Sequence, residues 1–508
     1  MSQSPIIRLH ADDNVVVAIQ RLGAEISIDD AQVTTTMAIP RGHKIATRTI
    51  EAGEVIRKYG QIIGYASERI EPGTHVHEHN CTMGAVAHDY EYGTELRTID
   101  YASGDAVRSF DGYRRADGRA GTRNYIAVAS TVNCSATVSR YVADAFNRTD
   151  LLDEYPNIDG VIALVHGTGC GMSGSGEGFD NLERVLWGMA GHPNIGAVLM
   201  IGLGCEVFQI PAMRNKYGLD HSDRFHSMTI QGSGGTRRTL EDGVARIKEM
   251  LPLVNDVERQ PIAASELSVA LQCGGSDAYS GITANPALGN AADRIVAQGG
   301  TAILAETPEI YGAEHLLARR AVSREVGEKL VERVRWWEEY TARNNGEMNA
   351  NPSPGNKAGG LTTILEKSLG AAAKGGTMPL AGVYHYAERV DTNGFVFMDS
   401  PGYDPASITG QVASGANVVC FTTGRGSAYG CKPSPSIKLA TNTPMYDMMS
   451  EDMDINCGDI VDGEVSIEQK GGEILEEIIS VASGKQTKSE ALGLGDNEFV
   501  PWQIGAVM

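Results

Sequence analysis

From residue 125 to residue 422 the chain repeatedly sets a run of four to six apolar residues ahead of a longer stretch with helical spacing, and this alternation restricts its fold more than any other feature. Buried strands separated by helices form parallel sheets, because parallel neighbours need a crossover long enough to hold a helix. The spacing predicts strands at residues 125–130, 161–165, 197–201, 267–271, 302–305, 382–385 and 418–422, with helices at 181–189, 240–250 and 325–340. Before this region the pattern is different: short strands at 15–19, 45–50, 55–59 and 75–79, broken by Gly and Pro, predict a small all-β module. The expected organisation is a module at 1–88, a linker at 89–109, a middle α/β domain at 110–255 and a C-terminal α/β domain at 256–508. The segment 351–360, NPSPGNKAGG, reads as a long loop rather than a helix interior.

A chain of 508 residues exceeds one ordinary core, and 42% hydrophobic with 21% charged residues is a globular balance. The net charge of −21 argues against nucleic acid or anionic membranes as partners, while Arg and Lys gathered in a cleft still admit a small anion. The N-terminus has no basic leader or long apolar core, and no apolar run reaches the length of a membrane span, so a cytoplasmic location is expected. Eight cysteines are too sparse for a disulfide scaffold and are read as thiols.

Half of those cysteines follow apolar runs, where open α/β sheets collect ligands. Cys134 follows 125–130, Cys170 lies in HGTGCG after 161–165, Cys205 in GLGCE after 197–201, and Cys273 in QCGGSD after 267–271. Soft thiolates so placed suggest a metal site for iron, an iron–sulfur cluster or zinc; the plainer reading is four small residues in strand-rich packing. Residues 169–174 also spell G-x-G-x-x-G, which opens a nicotinamide-dependent oxidoreductase, although an anion-binding turn uses the same backbone. His75, His77 and His79 alternate along an expected strand, so their rings would share a face. Arg115, Arg119, Arg123 and Arg425 are carboxylate-clamp candidates, Lys357 lies in the 351–360 loop, and Asp277 and Glu306 end strands as acid–base candidates.

The segments GYRRADGRAGTRN, MIGLGCE, QCGGSDAYSGITANPALG, NPSPGNKAGG and FTTGRGSAYG resemble the altronate and galactarate dehydratase family over nearly the whole chain. IPRGHKIA and IRKYGQIIGYA resemble that family's SAF, or β-clip, domain. The resemblance implies dehydration of a sugar acid to a keto-deoxy acid, stimulated by iron as Fe2+ or a cluster, with Mn2+ as a substitute. It also implies a Rossmann-like C-terminal domain and a homodimer formed through the middle domain. Carried onto this sequence, it makes Cys134, Cys170, Cys205 and Cys273 the metal ligands and His166 the first choice of base, with Lys357, Glu206 and Asp277 as further acid–base groups. His75, His77, Arg123, Asn285 and Arg425 become substrate-binding. HVHEHN resembles the altronate branch and PNIDGVIAL the galactarate branch, while a sulfolactate sulfo-lyase branch offers C–S cleavage instead. A sugar-acid binding protein without catalysis is the remaining alternative.

Overall fold

The computed structural model describes residues 4–84, 89–218 and 222–505. The module end expected at residue 88 lies outside them.

Residues 4–84 form short antiparallel sheets. One runs in the order Ile6–Ile7, Val15–Ala18, Lys44–Ala46, His75–Val76, and another in the order Val55–Lys58, Gln61–Ala66, Cys81–Thr82. Their apolar faces close around Val15, Ile56, Ile63 and Val76, all buried. The expected linker is not free chain. Tyr90 Oη donates to Glu314 (2.7 Å), and the backbone N–H groups of Glu95 and Ala102 donate to Arg319 and Ala297 carbonyls (both 2.8 Å), which lays the segment on the C-terminal domain.

The middle domain holds a four-stranded parallel sheet in the order Gly160–Leu164, Tyr125–Ser130, Ile195–Gly202, Phe225–Thr229. The C-terminal domain holds a seven-stranded parallel sheet in the order Leu380–Tyr384, Gly394–Met398, Thr301–Leu304, Ser268–Cys273, Val418–Thr423, Ser436–Ala440, Ile455–Asn456. All seven expected α/β strands are present within one to two residues. In each sheet the order reverses beside its first strand, opening a crevice at the carboxyl ends. The two domains share a core, where helix Glu177–Ala190 lies against helix Asp404–Ala413 so closely that a Cβ on Gly188 would meet the Ala413 carbonyl oxygen at 2.2 Å. The 351–360 loop carries a five-residue helix, Pro354–Ala358: Ser353 caps it and Pro354 takes the first position, where a missing N–H costs nothing.

Candidate functional site

The three middle-domain cysteines lie just past three adjacent strand ends. Cys134, Cys170 and Cys205 are exposed, and the other five cysteines are buried. Burial pushes the Cys273 and Cys431 thiols up to about 12, so these stay protonated at neutral pH. The turns bearing the exposed three are bonded to each other: Asn133 N–H donates to the Thr168 carbonyl (3.0 Å), and Val207 N–H to that of Gly169 (3.2 Å). Gly169 has φ +97°, and a Cβ there would sit 2.1 Å from the Thr131 carbonyl oxygen, so only glycine fits. The helix after this turn begins only at Glu177, leaving the glycines of 169–174 in an open loop rather than at a helix N-terminus. That geometry removes the dinucleotide reading.

Glu206 and His166 brace these turns. The Glu206 carboxylate accepts from Thr131 Oγ1 (2.8 Å), Leu203 N (3.2 Å) and Gly204 N (2.6 Å). His166 Nε2 donates to the Ser130 carbonyl (3.0 Å) and Nδ1 accepts from Thr168 N–H (3.3 Å), while burial lowers its pKa to about 4. With both nitrogens engaged, His166 has no site for a substrate proton. Beside Cys134 a cavity of about 420 Å3 is lined by Asn133, Thr137, Arg140 and the returning tail at Asn497 and Phe499.

Cys273 does not join the other cysteines. It ends a strand of the C-terminal sheet, where Lys374 Nζ donates to its sulfur (2.7 Å). Among the described residues, Cys273, Glu306 and Glu309 are the one set of three His, Cys, Asp or Glu side chains whose ligand atoms all lie within 4.8 Å of each other. Ammonium groups already fill the place of a cation there: Lys367 Nζ is 2.6 Å from Glu309 and Lys374 Nζ 3.5 Å from Glu306. Burial and the neighbouring Glu309 hold the Glu306 carboxyl well above its usual range. Burial also works against ionisation of Glu309, but Lys367 and Lys374 outweigh it.

The histidines cluster by a different route from the expected one. The strand ends at Val76, and a turn follows in which His77 N–H donates to Asn80 Oδ1 (2.9 Å). The rings of His75 and His77 are 5.4 Å apart and those of His75 and His79 5.5 Å. His43, unmarked in the sequence, joins them, with Nδ1 2.9 Å from His75 Nε2. Burial and mutual repulsion lower His43 to about 4 and His75 to about 3, so these two imidazoles are neutral at pH 7. His77 Nε2 donates to the Lys357 carbonyl (2.9 Å), and Lys357 Nζ stands 3.3 Å from Glu78, which brings module and 351–360 loop together.

Three further candidates are spent on structure. Arg123 is buried, forks onto Glu490 (2.7 and 2.9 Å) and donates to the carbonyls of Val481 and Lys485. Asn285 donates to the Gly370 carbonyl and accepts from Thr422. Asp277 is buried and accepts from Ser280, Tyr279, Thr441 and Asn442, with burial raising its pKa. Arg425 is exposed at the switch point beside Gly275. Sequence reasoning missed Lys44, Lys58, Glu366, Lys367 and Lys374; buried charges leave no periodic signal and are found through their partners.

Glu177, after the Cys170 loop, and Asp399, after strand Gly394–Met398, both lie against Arg333, at 3.7 and 3.8 Å. Among the described residues no helix is long and apolar enough to cross a membrane.

Three family models match the chain in order: the altronate/galactarate dehydratase SAF domain at 4–84, the D-galactarate dehydratase/altronate hydrolase second domain at 112–255 and the D-galactarate/altronate dehydratase C-terminal domain at 264–507. Altronate dehydratase of Escherichia coli (strain K12) is 37% identical over 487 residues, 95% of this chain and 96% of that one. Galactarate dehydratase (L-threo-forming) of the same strain is 37% identical over 96% of this chain and 95% of its own. The (2R)-sulfolactate sulfo-lyase subunit beta of Chromohalobacter salexigens is 32% identical over 77% of this chain and 97% of its own. With every domain matched and relatives aligned end to end, the chain belongs to the altronate/galactarate dehydratase family of carbon–oxygen lyases.

Proposed function

We propose that this chain removes water from a six-carbon sugar acid, altronate first and galactarate second, to give a keto-deoxy acid, with iron held at the cysteine edge of the middle sheet. The observation that carries this reading is the set of three solvent-facing cysteines on mutually bonded turns beside an open cavity. Thiolates are soft donors that suit iron, and backbone hydrogen bonds tie the three turns to one another. Cys273 is left out of this ligand set, because its thiol is buried and bonded to Lys374. Iron bound at this edge supplies Lewis acidity toward the carboxylate or the departing hydroxyl, an effect of several kcal/mol.

The chain's own residues supply the rest. Arg140 reaches the tail only through long contacts, 3.3 Å to the Asp496 carbonyl and 3.5 Å to Asn497, so its guanidinium keeps donors for a substrate carboxylate. Of the five acid–base candidates, Lys357 has the accessible side chain, 35% exposed, against 0–6% for His166, Glu206, Asp277 and Glu306. We assign the Lys357 ammonium, held 3.3 Å from Glu78, and the exposed Arg425 to the substrate carboxylate, with neutral His75 and His77 orienting hydroxyls.

The test is an anaerobic assay of iron-loaded and manganese-loaded protein against a panel of sugar acids, reading keto-acid as the semicarbazone. Turnover of altronate or galactarate with loss of one water is expected. Release of sulfite from sulfolactate with no sugar acid consumed refutes the reading, and tight binding without product leaves a binding protein in its place.

A further inference from the structure

We infer that the cleft between the middle and C-terminal domains, at the amino ends of their strands, is a binding site for a small polyhydroxy acid, separate from the site proposed above.

Place is the first ground. The cleft has a volume of about 590 Å3, inside the range of roughly 300–1,000 Å3 usual for small-molecule sites. Ser268 and Thr301 open their strands on its wall, Asn393 and Asn417 directly precede Gly394 and Val418, and His192 and Pro193 lie just ahead of Ile195. The cysteine turns and Arg425 follow the carboxyl ends of strands in the same two parallel sheets, so the cleft lies at the opposite ends of those strands.

The second ground is charge. Arg119, Arg184 and Arg389 line this one cleft. Arg119 is forked onto Asp117, at 2.8 and 2.6 Å. Arg184 spends Nε on the Tyr386 carbonyl and Nη2 on Asn181 (both 2.7 Å), and its Nη1 makes no hydrogen bond among the described residues. Arg389 is exposed and makes no hydrogen bond or ion pair among the described residues, although its charge reaches Asp117 at longer range. A single exposed arginine is ordinary surface. Three guanidiniums on one concave wall repel each other, and a carboxylate between them removes that repulsion through charge-assisted bonds. The segment that carries Arg389, residues 385–393, links strands Leu380–Tyr384 and Gly394–Met398 without a helix. It is held in place: Val390 N–H donates to the Ser414 carbonyl (3.0 Å), Arg184 takes the Tyr386 carbonyl, and Ala387 is kept at φ +56°, a conformation costly for alanine.

The third ground is the set of acceptors beside those guanidiniums. Asp391 lines the cleft, and its Oδ1 accepts from Tyr384 (2.9 Å) and Thr392 (3.4 Å), which leaves Oδ2 without a partner among the described residues. Glu266 also lines it and meets Arg114 at 3.4 Å. Helices Glu177–Ala190 and Asp404–Ala413 end at the cleft, where Gly191 and Ser414 line it, and the negative carboxyl ends of helices disfavour a bare anion. A ligand with carboxylates for the guanidiniums and hydroxyl donors for the acceptors satisfies both sets.

The full-length chain is titrated calorimetrically with meso-tartrate and with two analogues of equal carbon count: succinate, which lacks the hydroxyls, and erythritol, which lacks the carboxylates. Tartrate is expected to bind most tightly. Arg389→Gln should weaken it by roughly ten- to a hundredfold, the worth of one hydrogen bond to a charged group, and Arg425→Gln should leave it unchanged. Because Arg389 has no bond to lose, its variant should keep the wild-type melt. Succinate bound as tightly as tartrate overturns the polyhydroxy class. Tartrate binding lost in Arg425→Gln and kept in Arg389→Gln puts the ligand at the carboxyl ends and overturns the site. Neither heat nor a melt shift at millimolar tartrate overturns it as well. None of these readouts depends on turnover, so they stand or fall apart from the dehydration proposed above.

Discussion

Glu366 is where the N-terminal module is fastened to the C-terminal domain, and its replacement by Gln gives a prediction with a defined size. Its carboxylate takes Lys44 Nζ at 2.8 Å and Lys58 Nζ at 2.9 Å, both from the module, and Thr362 donates to it from its own chain segment. All three charged side chains are at most 1% exposed. Glu366→Gln keeps the shape and leaves two buried ammonium groups facing a neutral amide. Breaking a buried ion pair by removing one partner costs about 3–5 kcal/mol. That corresponds to roughly a hundred- to a few-thousand-fold more frequent opening of the module. Hydrogen exchange of the amides in strands Val15–Ala18 and Gln61–Ala66 reads this opening directly. The triple variant Lys44→Met, Lys58→Met, Glu366→Leu removes every charge and should be neutral or more stable by about 1–4 kcal/mol. The pH dependence has a fixed sign. Burial disfavours Glu366 ionisation, but Lys44 and Lys58 outweigh it and hold the folded pKa well below normal. Its contribution is therefore present above the unfolded value of about 4.3 and is lost as pH falls through the folded one. Unchanged exchange in Glu366→Gln, or a triple variant as loose as the single one, would refute the reasoning.

Arg123→Met should act on stability rather than on substrate, because the arginine is committed to Glu490 and three backbone carbonyls. A loss of about 3–5 kcal/mol with little change in KM is expected, and a large KM increase in a protein with an unaltered melt would return Arg123 to the binding site. Asp404, raised to about 6 by burial and then by Glu309, is stabilising as the neutral acid. Its contribution is full below the unfolded value of about 3.9 and is lost as pH rises through about 6. Asp404→Asn should thus raise the melting temperature above pH 6 and leave it unchanged at pH 4; equal melts of the two proteins at pH 8 would contradict this.

The layer architecture is legible in the apolar pattern alone. Runs such as 125–130 and 418–422 are apolar without alternation because their strands are covered on both faces, and the helical stretches between them dictate parallel order. The same pattern puts Cys134, Cys170 and Cys205 at strand ends, since position relative to a strand is a local property. Which strands are neighbours emerges only on folding, and with it the fact that these three cysteines share an edge while Cys273 belongs to another sheet. The fate of charged side chains was likewise hidden. Arg123 reads like a carboxylate clamp until Glu490, 367 residues away, is brought against it. Lys44 and Lys58 read as ordinary strand lysines until Glu366 closes over them. His166 reads as a free base until its ring is flanked by Ser130 and Thr168. Hydrophobic patterning is written at the spacing of a few residues and survives in the sequence, whereas the pairing of a buried polar group depends on partners that only folding brings within 3 Å or so of it.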